Sequence, residues 1–414
     1  MRVLWFSITP ARYGKYASNG GGWIESLQRV VAEIHEIELG IAFVSQESSV
    51  PPVVEQDGVT YYPMQMHRNM LQRWYDKWTY RQIDAVTIRK SLEVVAQFKP
   101  DVVQVFGSEW CFGLLQELVD VPVVIHMQGC WPVCQNIRQS LNGTWMQKYL
   151  PQWNRPRRML NHMLDEHLMK ERVRREEQIL SSGRFFMGRT VWDKDLIELY
   201  AKHAQYGYCS EALRLPFVQC KRKWTYTEHR VKKLVSTGIA VEIKGYDVVL
   251  RAAQLLRKYA DFDFEWHLLG PTRTQMKRFE ARTGIRCEEV GVIPCGNVGP
   301  DDMIAKLFES DCYVHASYID NSPNAVCEAQ YLGLPVISTN AGGIPSLFAK
   351  EYVQEWLVTP NDPYQLSAKI KRMLTNRSCM EEASQNNWSI ARERHSDQCI
   401  GESLLQNYNK MLGR

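Results

Sequence analysis

The chain has 414 residues, which at about 100–200 residues per domain is enough for two or three domains and excludes a single small module. Its 45% hydrophobic and 23% charged residues are globular proportions, unlike those of disordered, collagenous or coiled-coil chains. Lys and Arg total 50 against 46 Asp and Glu, and the resulting charge of +4 is too mild a surplus to imply nucleic acid as a partner. The start carries one charge and a short apolar run before Pro10, Arg12 and Gly14, without the long apolar core of a secretion signal. No stretch approaches the roughly 20 apolar residues of a membrane-spanning helix, so a cytoplasmic protein is expected. In the first half, apolar runs fall at Val3 to Ile8, Leu39 to Val44, Val102 to Phe106 and Val121 to Ile125. Between the first two, Ile24, Leu27, Val30, Val31 and Ile34 recur at helical spacing. The second half restarts the pattern with Leu234 to Ser236, Phe264 to Leu269, Cys312 to His315 and Pro335 to Ser338. A helix follows the first of these, with Val248, Val249, Ala252, Ala253 and Leu256 on one face behind Asp247 as N-cap.

Short apolar strands separated by amphipathic helices are the pattern of βαβ units in a mostly parallel sheet. The expected architecture is α/β, with two doubly wound Rossmann-like domains at residues 1–215 and 230–395. The boundary falls where Lys221, Arg222 and Lys223 interrupt the apolar periodicity. Residues 396–414 read as a helix that packs back on the first domain.

Two stretches of the first half exceed a minimal βαβ scheme. Met64 to Arg81 holds Met66, Arg68, Met70, Arg73, Trp74, Tyr75, Lys77, Trp78 and Tyr80, and Arg155 to Arg175 mixes Arg157, Arg158, Lys170, Arg172 and Arg174 with Met159, Leu160, Met163, Leu164, Leu168 and Val173. Basic and apolar residues on opposite helix faces favour an anionic membrane surface, so peripheral membrane contact is one expectation. An ordinary surface helix, its positive field diluted by Asp165, Glu166, Glu171, Glu176 and Glu177, is the other. The 11 cysteines are scattered without a C-x-x-C pair, only Cys130 and Cys134 being close, which points to free thiols and to no metal site.

The most informative segment runs from Ser317 through Asp320-Asn321-Ser322-Pro323-Asn324-Ala325 to Glu328. It follows a buried strand and opens a helix, with Ser322 expected as N-cap, Pro323 at the first helical position and Gly333 closing it. Unsatisfied amides of Asn324 and Ala325 at the helix start form an anion site, where a phosphate can dock. Glu328 lies about 9 Å along the axis from Ser322, placed to reach a ribose, and Asp320 is placed to accept from a second polyol.

Read together with Leu332-Gly333-Leu334-Pro335 and Gly342-Gly343-Ile344-Pro345, these residues resemble the donor-site signature of retaining glycosyltransferases of the GT-B fold, family four. The resemblance implies that Glu328 binds the nucleotide ribose and Asp320 the donor sugar hydroxyls, although the family's usual residue at Asp320 is a glutamate. Asn19-Gly20-Gly21-Gly22 resembles the N-terminal loop facing the donor diphosphate, since glycines let backbone amides approach a phosphate closely. Gly238 to Gly245 resembles the stretch whose arginine and lysine hold the diphosphate: Lys244 takes the lysine place, while Ile239 stands where the arginine is usual. Arg189 is the expected substitute cation. His126, at a strand end in Val123 to Gly129, is similar to the residue that contacts the donor sugar, with Gln128 its neighbour.

The implied activity is transfer of a sugar from a nucleotide diphosphate sugar to an acceptor hydroxyl, retaining configuration and without an essential metal, in surface polysaccharide or glycan synthesis. The expected partners are the nucleotide sugar donor and a glycan or lipid-linked glycan acceptor. Alternatives of other classes are a GT-B sugar-nucleotide epimerase, which needs no acceptor, and a non-catalytic nucleotide-sugar sensor, which binds without turnover. A dinucleotide oxidoreductase is disfavoured, because the glycine loop lacks the G-x-G-x-x-G spacing.

Overall fold

The structure is a computed structural model that describes residues 1–14, 22–66, 69, 71–72, 75, 80–142 and 156–414. In the first half, strands β1 (Arg2–Ser7), β2 (Glu38–Ser45), β3 (Val54–Gln56), β4 (Val59–Gln65), β5 (Val102–Phe106), β6 (Val123–His126), β7 (Phe185–Gly188) and β8 (Gln205–Tyr208) form one sheet ordered β3-β4-β2-β1-β5-β6-β7-β8. All pairs are parallel except the edge hairpin β3–β4, whose turn residues Asp57 and Gly58 both have positive φ (51° and 74°), as a tight hairpin matched to strand twist requires. Helices cover both faces, so β1 is buried along almost its whole length: Val3, Leu4, Trp5 and Phe6 are fully buried, and the strand is apolar throughout instead of alternating.

The second half builds a separate sheet from β9 (Val231–Thr237), β10 (Asp263–Leu269), β11 (Val292–Gly296), β12 (Cys312–His315), β13 (Val336–Thr339) and β14 (Leu357–Val358), ordered β11-β10-β9-β12-β13-β14 and parallel throughout. Each sheet reverses its strand order once, between β1 and β5 and between β9 and β12. In such sheets the crevice beyond the carboxyl ends at that reversal is where ligands bind.

One helix start differs from expectation. The Tyr246–Tyr259 helix is capped by Gly245, and Asp247 sits inside its first turn, buried and accepting from Tyr318 Oη at 2.9 Å. The C-terminal stretch is two helices, Arg377–Arg394 and Asp397–Met411, broken at Ser396, whose hydroxyl caps the second. That last helix lies on the first sheet: Trp5 Nε1 donates to Tyr408 Oη at 3.1 Å, and Arg29 pairs with Asp397 at 2.8 Å. All eleven cysteines are free thiols. Among the described residues no helix is long and apolar enough to cross a membrane. Of the Met64 to Arg81 stretch, Arg68, Met70, Arg73, Trp74, Lys77 and Trp78 lie outside the described residues, as does Arg155 of the second stretch.

Candidate active site

A cleft of about 410 Å³ opens between the domains at the two strand-order reversals. From the first domain, Thr9, Pro10 and Ala11 beyond β1 line it, with Gly22 and Glu25 at the start of the Trp23–Ala32 helix. From the second come Thr237 at the end of β9 with Gly238 and Ile239 after it, Leu269 at the end of β10 with Gly270 after it, and Asn324, Ala325 and Glu328 of the Asn324–Tyr331 helix. Gly270 has φ +114° and approaches Gly238 so closely that a Cβ there would meet the Gly238 carbonyl oxygen at 2.2 Å. That wall can only be built from bare backbone.

The Asn324–Tyr331 helix starts after Pro323, without a side-chain cap. Ser322 is therefore not the cap: its hydroxyl turns away and donates to buried Glu211 at 2.5 Å. The helix closes as expected at Gly333, with φ +81° and Leu334 N bonded back to the Ala329 carbonyl. Glu328 is 1% exposed, and both its oxygens accept from Arg214, Nε at 2.6 Å and Nη2 at 2.7 Å. Arg214 also lines the cleft. Sequence reasoning missed it, because the pair spans 114 residues and Arg214 lies in the crossover between the sheets, outside any motif.

Lys244 and Asp320 form an ion pair, and the same Asp320 oxygen, Oδ2, accepts from His315 Nε2 at 3.0 Å. Burial alone would raise the Asp320 carboxyl; Lys244 and His315 overcome it and hold the group well below the usual carboxylate range. Lys244 ends a short turn, Glu242–Lys244, that Gly245 leaves in the left-handed region at φ +69°. Behind Asp320, Gly343 N donates to its carbonyl at 3.0 Å, and a Cβ on Gly342 would strike that oxygen at 2.2 Å.

Residues 231–376 match the family model described as Glycosyl transferases group 1. That segment belongs to the group 1 glycosyl transferase family. Over 82 residues the chain is 37% identical to a Bacillus subtilis (strain 168) protein named as a teichuronic acid biosynthesis glycosyltransferase, a match spanning 20% of this chain and 21% of that protein. Among solved structures, sucrose-phosphate synthase from Thermosynechococcus elongatus superposes with a TM-score of 0.74 at 14% identity, covering 100% of this chain and 99% of that one. The trehalose 6-phosphate synthase of Burkholderia multivorans gives 0.68 at 13% identity, covering 100% and 97%. Anabaena Alr3699/HepE in complex with UDP and glucose gives 0.66 at 11% identity, covering 99% and 100%. At these identities the likeness is one of fold, and the fold is the expected GT-B.

Several expected residues do not line the cleft, Lys244 and Asp320 among them. Gly22 lines it, while Gly20 and Gly21 lie outside the described residues. His126 is fully buried at the end of β6, edge-on to Trp23 at 5.0 Å and stacked on Phe106 at 6.0 Å, with Nδ1 against Gln104. Burial pushes its pKa down to about 3, so it is a neutral core histidine. Arg189, expected as the substitute cation, is 4% exposed. Its guanidinium lies over the Trp23 ring at 5.1 Å and donates to the Gln128 carbonyl at 3.3 Å, so Arg214, not Arg189, is the arginine at the cleft.

Asn321 also faces away from the cleft. Its Nδ2 donates to Asp193 at 2.7 Å and to the Gln128 carbonyl at 3.1 Å, and its Oδ1 accepts from Thr190 at 2.7 Å. All three partners belong to the first domain, so Asn321 fastens the domains together beside Asp320. Nearby, Glu211, Cys327 and His395 bring potential metal donors within 4.8 Å of one another, fully buried. Burial alone would raise the Glu211 carboxyl, yet His395, Arg189 and Arg394 hold it at about 2. The two guanidiniums already supply the positive charge that a divalent cation would bring.

Proposed function

We propose that the protein transfers a sugar from a nucleotide diphosphate sugar to an acceptor hydroxyl with retention of anomeric configuration, holding the donor in the interdomain cleft. The observation that carries this reading is that Asn324, Ala325 and Glu328, on one helix, all line a cleft at the strand-order reversals of two parallel sheets. The helix start suits a diphosphate, and Glu328, about 6 Å further along the axis, suits the ribose diol. Lys244 would meet the charge growing on the leaving diphosphate, and Asp320 would accept from the sugar hydroxyls. In the step itself the bond from the anomeric carbon to the phosphate oxygen breaks and the bond to the acceptor oxygen forms on the same face. The acceptor's proton passes to the departing phosphate oxygen. The helix start and Lys244 supply the positive charge, so no essential metal is required.

The name of the Bacillus subtilis relative favours a surface polysaccharide as the product. A membrane-borne acceptor is supported by the Pro156–Ser182 helix, which exposes Leu160 and Met163 beside exposed Arg157 and Arg174. Part of that basic face is spent on the fold, since Arg175 is buried against Asp84 at 2.8 Å. Sedimentation with liposomes that shows no dependence on anionic lipid would remove the membrane reading.

Thermal stabilisation across UDP, GDP and ADP sugars, with and without EDTA, tests the donor reading. A shift with one nucleotide series that survives EDTA supports it. No shift with any series at saturating ligand would sink it.

A further inference from the structure

The charged side chains lining the described part of the cleft are Glu25, Arg214 and Glu328. Two carboxylates thus face one guanidinium in a space read above as the seat of a dianionic diphosphate. Arg214 stands in the crossover between the sheets, at the head of the Leu215–Gln219 helix. Its guanidinium also lies over the Phe217 ring at 4.8 Å, and Nη2 is 3.1 Å from Met303 Sδ. The Glu328 oxygens that a ribose diol requires are the ones Arg214 holds. Ribose and Arg214 therefore compete for one carboxylate.

A guanidinium fork fits a phosphate as well as it fits a carboxylate, with two parallel N–H bonds in either case. We infer that Arg214 joins the helix start and Lys244 in holding the donor's diphosphate in this chain, kept on Glu328 until a nucleotide enters and then passed from carboxylate to phosphate as the ribose diol takes its place. The exchange conserves hydrogen bonds: the guanidinium passes from one anion to another, and Glu328 trades two N–H donors for the two ribose hydroxyls. It also accounts for Ile239, which lines the cleft 68% exposed and offers no cation. This inference rests on the reading of the cleft as a nucleotide-sugar site.

The test is calorimetric titration of the full-length protein with nucleoside, monophosphate and diphosphate in the uridine, guanosine and adenosine series, for wild type, Arg214→Gln, Arg214→Lys and Glu328→Gln. In the series that wild type binds, Arg214→Gln should weaken the diphosphate on the order of 10- to 100-fold. Its nucleoside affinity should hold or tighten, because Glu328 is released to the ribose. Arg214→Lys should fall between, since it keeps the charge and loses the fork. Equal losses for nucleoside and diphosphate would overturn the inference, showing that Arg214 only orients Glu328, and so would an unchanged diphosphate affinity. If Arg214→Gln does not fold with Glu328 left unpaired, the double variant with Glu328→Gln carries the test: it must lose the diphosphate increment that Glu328→Gln alone keeps. A wild type that binds no member of any series overturns the donor reading itself and this inference with it.

Discussion

Lys244 and Asp320, 76 residues apart, are each other's ionic partners, and His315 donates to the same Asp320 oxygen. The side chain proposed for the diphosphate and the one proposed for the sugar are thus one unit, poised by their mutual pairing. Removing either leaves the other charge half-buried without its counter-ion. Lys244→Met and Asp320→Asn should each lower turnover of the donor by about 10²–10³, the scale of losing one preorganised electrostatic contact. Because they act as a unit, the double variant should be little worse than either single one. Steady-state kcat for the three variants checks this, and additive losses would show that the two residues work independently.

Asn321 gives a different kind of prediction, since its amide is spent on Thr190, Asp193 and the Gln128 carbonyl across the domain boundary. Asn321→Ala leaves buried partners unsatisfied and should cost about 1–3 kcal/mol. Asn321→Asp should cost more, because it sets a second carboxylate against Asp193. Urea denaturation reads the stability. Small-angle scattering reads the domain pairing, which should loosen in both variants, and a radius unchanged from wild type would deny Asn321 its fastening role.

The central strands and their flanking helices were legible because buried parallel strands are continuous apolar runs and helices show period 3.6: Val102–Phe106 and Cys312–His315 lie where the runs predict. Strands β3, β4, β7, β8, β11 and β14, at or next to the sheet edges, escaped notice; edge strands such as β8, Gln205–Tyr208, and β3, Val54–Gln56, need no apolar run, and these are polar or very short. Within the site, the cleft placement of Glu328 and of the Asn324–Tyr331 helix start could be read locally. What Asn321, Ser322 and Arg214 touch could not. Their partners Asp193, Glu211 and Glu328 lie 128, 111 and 114 residues away, and only the meeting of two domains decides which polar side chain turns inward.

The backbone under Lys244 makes a third prediction. Gly245 has φ +69°, and a Cβ there would lie 1.9 Å from the Ala316 carbonyl oxygen. Gly245→Ala thus pays for a left-handed conformation, about 1 kcal/mol, and for overpacking, about 1–3 kcal/mol. Gly284 is the control: its φ is +72° but nothing lies within 4 Å of the added Cβ, so Gly284→Ala should show the conformational cost alone. Denaturant midpoints for the pair separate the two costs. Equal destabilisation would mean that the Ala316 carbonyl yields without penalty.

The last prediction concerns pH. Glu176 is fully buried, its oxygens accepting from Ser108 Oγ at 2.5 Å and Trp131 N at 2.7 Å, and burial with nearby Glu109 pushes its pKa up to about 8. The folded protein therefore keeps a proton there that the unfolded chain releases near its ordinary value of 4.5. Its stabilising contribution is complete below 4.5 and drains away as pH rises towards 8. Buried His126 and His395, held down at about 3 and about 4 chiefly by burial, work the other way: their contribution is complete above 6.5 and lost as pH falls. Between pH 6.5 and 8 the histidines are flat, and Glu176 should impose a loss of up to about 2 kcal/mol. Glu176→Gln has no proton to lose; its carbonyl can accept from Trp131 N and its amide can donate to Ser108, whose hydroxyl is free to rotate. Urea midpoints at pH 6.5, 7.2 and 8.0 should fall for wild type and stay level for the variant, whereas parallel curves would place the Glu176 titration outside this range.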